Sequence, residues 1–209
     1  MQIILASASP RREEIFRKHG LTPRIIPSEY EEMIHDFLTP EETVMHLSLR
    51  KGLDVKSRLA AYDPVHPDHF SSDQAGSRLN NSHDGILIVS ADTIVVHKGK
   101  ILGKPADENE AYDMIRELSG DSHLVMTGVC LIHPSLPVKC FYDVSKVFFC
   151  EVPEDELLDY IATDEPYDKA GAYAVQETFS KYTTKIEGDL ENIIGFPFER
   201  FLKELKTFC

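Results

Sequence analysis

Residues 86–105, ILIVSADTIVVHKGKILGKP, constrain the fold of this chain more than any other stretch. The apolar run at 86–89 reads as a buried strand. It gives way to Ser90-Ala91-Asp92-Thr93, where a carboxylate and a hydroxyl stand among apolar residues. Residues 94–97 and 100–102 then flank Lys98-Gly99, a signature of a tight hairpin. Leu102-Gly103-Lys104-Pro105 ends the unit with a lysine between glycine and proline. Folding back of the hairpin places Asp92, at its strand end, on the same end of a sheet as Lys104. An acid beside a base there suits an anion and a metal. A surface ion pair, worth little, is the plain alternative.

Composition narrows the classes. The 209 residues suffice for one large domain or two small ones, and 42% hydrophobic with 27% charged is ordinary for a globular core. Against 22 Lys+Arg stand 35 Asp+Glu, a net charge of −13. Such a chain is a poor nonspecific binder of nucleic acid, so any anionic ligand needs a local concentration of positive charge. No apolar run reaches membrane-spanning length. The N-terminus enters a strand at once, without the basic region of a signal peptide. Cys130, Cys140, Cys150 and Cys209 form no CxxC and no metal-ligand spacing. They read as buried free thiols, and the location expected is cytoplasmic.

Positive charge does concentrate. A short strand at 2–6 leads into Ser7-Ala8-Ser9-Pro10-Arg11-Arg12 and a helix through residue 19, with Gly20 as its stop. Ser9 suits the N-cap and Pro10 the first turn. Arg11 and Arg12 then oppose the helix macrodipole, a conflict that a bound phosphate would resolve. Two solvated arginines paired with Glu13 and Glu14 are the alternative. After a second strand at 24–27 come Glu29, Glu31 and Glu32, which are either solvated loop charge or a source of ligands for a hard cation. Thr39 can cap a helix over 40–61, where Lys51, like most helix lysines, is expected to face solvent.

The Pro-, Ser-, Asn- and His-rich stretch at 62–85 reads as a long polar loop, with His66, His69 and His83 as surface residues rather than metal ligands. Asp107 caps a predicted helix to 118. Strand-like runs at 124–133 and 138–152 form an antiparallel pair, and Thr127-Gly128 implies a bulge or a close backbone approach. His123 reads as structural. A helix over 154–162 is followed by Lys169, a candidate anion contact, and by Gln176, whose amide can read a base edge. Residues 186–197 are turn-rich, and 198–208 form a closing amphipathic helix.

Residues 7–12, Lys51, the Asp92–Lys104 unit and residues 169–176 thus each offer groups for a phosphorylated ligand and a divalent ion. Neither GxxxxGK[ST] nor GxGxxG is present, and no Ser-His-Asp or HExxH pattern stands out. Metal-assisted attack of water on a phosphate is the chemistry left.

Several ordered blocks resemble the Maf family. They are LASASPRR at 5–12, ADT at 91–93 with LGKP at 102–105, and LSG at 118–120 with His123 and TGV at 127–129. The last is KAGAYAVQ at 169–176, with Gly188-Asp189 and NIIGFP at 192–197. The resemblance spans nearly the whole chain outside 62–85 and implies one Maf-like domain over 1–209. It implies an α/β fold with a curved mixed sheet, flanking helices and two lobes around a nucleotide-binding cleft, as in inosine triphosphate pyrophosphatase. It implies hydrolysis of nucleoside triphosphates to monophosphate and pyrophosphate with Mg²⁺ or Mn²⁺, often by a homodimer. Carried over by position, Asp92 accepts the proton of the attacking water and touches the metal. Arg11, Thr93 and Gln176 select the substrate, and Ser7, Ser9, Arg12, Lys51, Lys104 and Lys169 hold phosphates. Glu32, or Glu31 beside it, stands near the metal. The YAVQ form at 173–176 resembles the branch acting on dTTP and UTP. A modified purine such as 7-methyl-GTP, or a noncatalytic nucleotide sensor regulating cell division, are the competing readings.

Overall fold

The computed structural model describes residues 1–61, 85–176 and 178–208. The polar loop expected at 62–85, with its three histidines, lies outside the described residues except for Gly85, as does Cys209. In chain order the first elements are β1 (Gln2–Leu5), α1 (Pro10–Lys18), β2 (Arg24–Ile25) and α2 (Pro40–Ala61). The middle of the chain forms β3 (Ile86–His97), β4 (Lys100–Leu102), α3 (Glu108–Leu118), β5 (Ser122–Ile132) and β6 (Lys139–Phe149). Then come α4 (Glu154–Ile161), β7 (Thr183–Glu187), α5 (Leu190–Ile194) and α6 (Phe198–Lys206).

The caps follow from the sequence. Thr39 and Glu42 form a reciprocal capping box, with Glu42 N–H donating to Thr39 Oγ1 and Thr39 N–H donating to Glu42 Oε2. Asp107 accepts from Glu110 N–H at 2.9 Å. Lys98 and Gly99 both take positive φ, as a two-residue turn between twisted strands requires. Ser9 occupies the N-cap position of α1 without a side-chain cap bond. Its own amide donates to Ser7 Oγ, so the loop is braced one step earlier than expected.

The strands make one mixed sheet in the order β2-β1-β3-β5-β6-β7, with β4 on β3. β1 runs parallel to β2 and β3, and the other pairings are antiparallel. The expected bulge at Thr127-Gly128 is absent, since both residues pair in register with β3 and with β6. The close approach is present: a Cβ on Gly128 would lie 2.3 Å from Val44 O, so glycine lets α2 press onto the sheet.

Period-two alternation sorts the two faces. Ser90, Ile94 and Val96 of β3 look toward α2, where Ser90 Oγ donates to Ser48 O and Ile94 and Val96 pack with Val44 and Met126. The opposite face carries two apolar clusters. One joins Val89 and Ala91 of β3 and Val129 and Leu131 of β5 to Phe16, Phe196, Phe198 and Phe201. The other joins Val95 and Val125 to α3, α4 and Tyr173. Each buried Phe contributes about 1.5–3 kcal/mol by burial. Between the clusters, on the same face, stand Thr93 and its cross-strand partner Thr127. This polar seam separates two helical lobes above a shared sheet.

Two sequence expectations need correction. β3 does not stop before Asp92, because Asp92 pairs with Gly128 and the ladder with β5 continues on both sides. What ends there is pairing on the other edge: β1 reaches Val89 and β4 begins at Val95. Residues 90–94 therefore border a gap in the sheet. Second, Cys150 is exposed and Cys140 half-buried, leaving only Cys130 buried among the described free cysteines. Cys150 follows the end of β6, where the alternation that buries alternate residues no longer applies.

Candidate active site

The gap in the sheet opens into a cleft of about 910 Å³, part of it solvent. Ser9, Arg11, Arg12, Glu32, Lys51, Asp92, Thr93, Lys104, Lys169 and Gln176 all line it. Ser7 lines an adjoining hollow that shares Ser9, Arg11, Arg12, Glu32, Lys51 and Lys104 with the cleft. The structure thus brings the candidate site residues together, Glu31 excepted. The shared part is the charged mouth. The inner part adds Val95, Val125, Ala174, Val175, Ile193 and Ile194, an apolar wall.

Asp92 is 5% exposed at the base of the mouth. Lys51 Nζ donates to Asp92 Oδ1 and lies 2.6 Å from Glu32 Oε1. Lys51 does not face solvent as expected. Buried residues of α2 include Val44, Leu47, Ser48, Gly52 and Val55, and position 51 falls on that same helical stripe. The lysine is thereby aimed at the sheet, and its side chain is only 14% exposed.

The two carboxylates are driven apart. Burial pushes the Asp92 pKa above the ordinary carboxylate range, and Glu32 adds to this, while Lys51 and Arg12 oppose it without prevailing. Burial would raise Glu32 as well, but Lys51, then Lys104 and Arg12, hold it below its usual value. Environments that separate two titratable groups divide their roles: Glu32 stays anionic, and Asp92 becomes the better proton acceptor.

Arg12 is not paired with the neighbouring glutamates; Glu13 pairs with Arg17 instead. Arg12 Nε donates to Gly195 O at 2.8 Å, Nη1 to Ser7 Oγ at 3.0 Å, and Nη2 to Thr93 Oγ1 at 3.1 Å. It ties the first loop, the central strand and the turn after α5 together. Burial lowers its pKa, with Asp92 and Glu32 opposing, but a guanidinium remains charged. Lys169, 7% exposed, pairs with Asp168 at 2.6 Å and donates to Glu165 O at 2.5 Å.

Of the two acids offered for the metal, Glu32 lines the cleft and Glu31 does not. Among the described residues no group of three or more His, Cys, Asp or Glu is placed to hold a metal. Glu32 and Asp92 nevertheless converge on one Lys51 ammonium, so two carboxylates already share one point of positive charge. That donor set fits a hard cation that keeps several waters and takes its other ligands from phosphate.

Sequence reasoning missed several contributors. Asp168 and Tyr173 line the cleft. Thr127 and Asn192 underlie it: Thr127 Oγ1 donates to Asn192 O, while Asn192 Nδ2 donates to Val125 O and Ser145 Oγ. Strand alternation carried a signal for Thr127, a hydroxyl at a position flanked on its own face by Val125 and Val129.

A family model described as "Maf-like protein" matches residues 2–208. A dTTP/UTP pyrophosphatase of Geobacillus sp. (strain WCH70) is 38% identical over 205 residues, 98% of this chain and 97% of that protein. One of Caldicellulosiruptor bescii is 40% identical over 200 residues, covering 95% and 90% of the two chains. One of Lachnoclostridium phytofermentans is 38% identical over 211 residues, covering 99% and 95%. The sheet with its gap, the two lobes and the charged mouth are therefore the form taken here by a member of the Maf-like protein family, to which this chain belongs.

Proposed function

We propose that this protein hydrolyses dTTP and UTP to the nucleoside monophosphate and pyrophosphate, with Asp92 as the base. The observation that carries the reading is the division of one cleft into a charged mouth and an apolar interior, with Asp92 buried where they meet. Arg11, Arg12, Lys51, Lys104 and Lys169 face Glu32, Asp92 and Asp168 there, five cations against three carboxylates. In a chain of net charge −13 this is the local excess that a triphosphate needs.

Asp92 takes a proton from the attacking water as its oxygen bonds to the α-phosphorus, the bond from that phosphorus to the bridging oxygen breaks, and pyrophosphate leaves with the bridging oxygen. Arg12, Lys51, Lys104 and Lys169 balance the phosphate charge, and Ser7 and Ser9 offer hydroxyls at the mouth. Glu32 and Asp92 would hold Mg²⁺ or Mn²⁺, which when bound neutralises phosphate charge and lowers the pKa of water. Arg11, Thr93 and Gln176 select the base against the apolar wall, consistent with the substrates named for the relatives.

We read residues 1–209 as one Maf-like domain with an insertion at 62–85, acting in the cytoplasm as a homodimer. No helix among the described residues is long and apolar enough to cross a membrane. Free cysteines fit a reducing compartment. Light scattering tests the dimer.

The decisive assay is pyrophosphate release from dTTP, UTP, CTP and 7-methyl-GTP with Mg²⁺ or Mn²⁺, beside Asp92→Asn. Metal-dependent release from dTTP and UTP, lowered at least about a thousandfold in the variant, is expected. Full turnover by Asp92→Asn sinks the mechanism. Release from 7-methyl-GTP alone overturns the base, and nucleotide binding without release would favour a sensor.

A further inference from the structure

We infer that Thr127 fixes the hydrogen-bonding polarity of Thr93, so that the Thr93 hydroxyl meets the ligand only as an acceptor and selects a base carrying an imide N–H. This rests on the pyrimidine triphosphate reading above and says how the base is chosen.

The bonds run in one direction. A carbonyl oxygen cannot donate, so across the 2.9 Å between Thr127 Oγ1 and Asn192 O the threonine gives its hydrogen. Thr127 Oγ1 then has only lone pairs left for Thr93 Oγ1, also at 2.9 Å, and Thr93 must give its hydrogen to Thr127. Arg12, a donor only, fills one lone pair of Thr93. Thr93 keeps one lone pair and no hydrogen. The lock is well held: Thr127 is fully buried, and the Asn192 side chain is pinned to Val125 O and Ser145 Oγ.

Ser7 at the mouth has the opposite polarity. Its oxygen accepts from Ser9 N–H and from Arg12 Nη1, which leaves its hydrogen for an anion. The cleft therefore offers a hydroxyl donor at the mouth and a hydroxyl acceptor inside. Phosphate and carbonyl oxygens have nothing to gain at Thr93. The donors of a pyrimidine nucleotide are its sugar hydroxyls and its base N–H groups. Thr93 shares the inner cleft with Val95, Val125 and Ile193, a wall suited to a base ring. Uracil and thymine present N3–H, whereas cytosine presents a lone pair at N3, which would face the lone pair of Thr93. Thr127 is thus a positioning residue that acts on the base through Thr93.

The test compares kcat/KM for UTP and CTP in the wild type, Thr127→Val and Thr127→Ser. Valine keeps the shape but removes the acceptor that holds the Thr93 hydrogen, so Thr93 becomes free to donate. The UTP-to-CTP ratio should fall about tenfold in Thr127→Val, the worth of one ordinary hydrogen bond, and return in Thr127→Ser. A folded Thr127→Val with the wild-type ratio overturns the inference. Should that variant fail to fold, 3-methyl-UTP, which lacks the imide N–H, tests the wild type directly. A loss of about tenfold or more against UTP supports the lock, and equal turnover overturns it. Wild-type protein inactive on both UTP and dTTP overturns the pyrimidine reading and this inference together, whereas an active wild type with an unchanged ratio overturns this inference alone.

Discussion

Replacing His123 with glutamine should flatten part of the acid limb of the stability curve. His123 is 2% exposed in β5, packed edge-on to Phe149 and Tyr173 with ring centroids 5.0 and 5.2 Å away. Burial, and then the charge of His97, push its pKa down from 6.5 to about 3, with Asp121 opposing weakly. Above pH 6.5 both folded and unfolded chains hold the ring neutral, and the group adds no pH dependence. Below it the unfolded chain takes up a proton that the folded one refuses, so stability falls with pH until about 3. Each pH unit in that window is worth about 1.4 kcal/mol, so the whole window is worth about 5 kcal/mol. Between pH 7.5 and 4.5 the share lost is about 3 kcal/mol, a large part of the roughly 5–15 kcal/mol of a typical domain. Urea unfolding at stepped pH measures it, and subtracting the His123→Gln curve cancels the carboxylates that titrate in both proteins. Wild type should lose about 3 kcal/mol more than the variant over that range. Parallel curves would refute the reasoning. The same titration touches the cleft. His123 Nε2 is hydrogen-bonded to the hydroxyl of Tyr173, which lines the cleft, and a protonated ring could only donate across that bond.

Lys51→Met removes the strongest charge that opposes burial at Asp92, so the Asp92 pKa should climb further. Because the base acts unprotonated, activity is lost as pH falls through that pKa, and the acid limb of kcat should move to higher pH; an unmoved limb would count against Asp92 as the base. Arg12→Lys keeps the charge but loses the three-way fork to Gly195, Ser7 and Thr93. It should lower stability by about 1–3 kcal/mol and kcat/KM by at least about tenfold, and wild-type values in both assays would contradict the clamp. Gly128→Ala places a Cβ 2.3 Å from Val44 O, so α2 must lift. A loss of about 1–3 kcal/mol is expected in chemical denaturation, and an unchanged midpoint would show that α2 yields freely.

Local rules carried much of the reading. The Lys98-Gly99 turn, the Thr39 and Asp107 caps and the closing helix are where propensity and pattern put them. The phosphate-binding candidates were legible because cations are scarce in this chain and stand out where they oppose a helix dipole or sit among small residues. Lys51 was misjudged because a helix lysine is exposed by default, and only the register of its own stripe with Ser48 and Val55 shows the buried side. The turn-rich reading of 186–197 covers α5 and only the end of β7, since a five-residue strand and a five-residue helix owe their form to β6 and to the Asn192 network rather than to propensity. The gap opposite residues 90–94 was invisible for a different reason. It arises from where two separate strands stop and start, which no single window of sequence contains.

The polar seam links stability to chemistry. A hydroxyl buried without a partner costs about 1–3 kcal/mol, and Thr93 and Thr127 occupy positions where the alternation would otherwise supply valine. Valine at both would remove that liability and join the two apolar clusters over an unbroken face. The threonines are tolerable only because the chain from Arg12 to Asn192 O satisfies each hydrogen in turn. That same chain holds α1 to β3 through Arg12 and β5 to α5 through Asn192, on the two sides of the cleft. Lobe spacing and hydroxyl polarity are therefore set by one row of bonds. Thr127→Val keeps the side chain's shape but removes both of its bonds, so the UTP-to-CTP ratio reads the freed Thr93 hydroxyl while urea unfolding reads what the row contributes to holding the lobes.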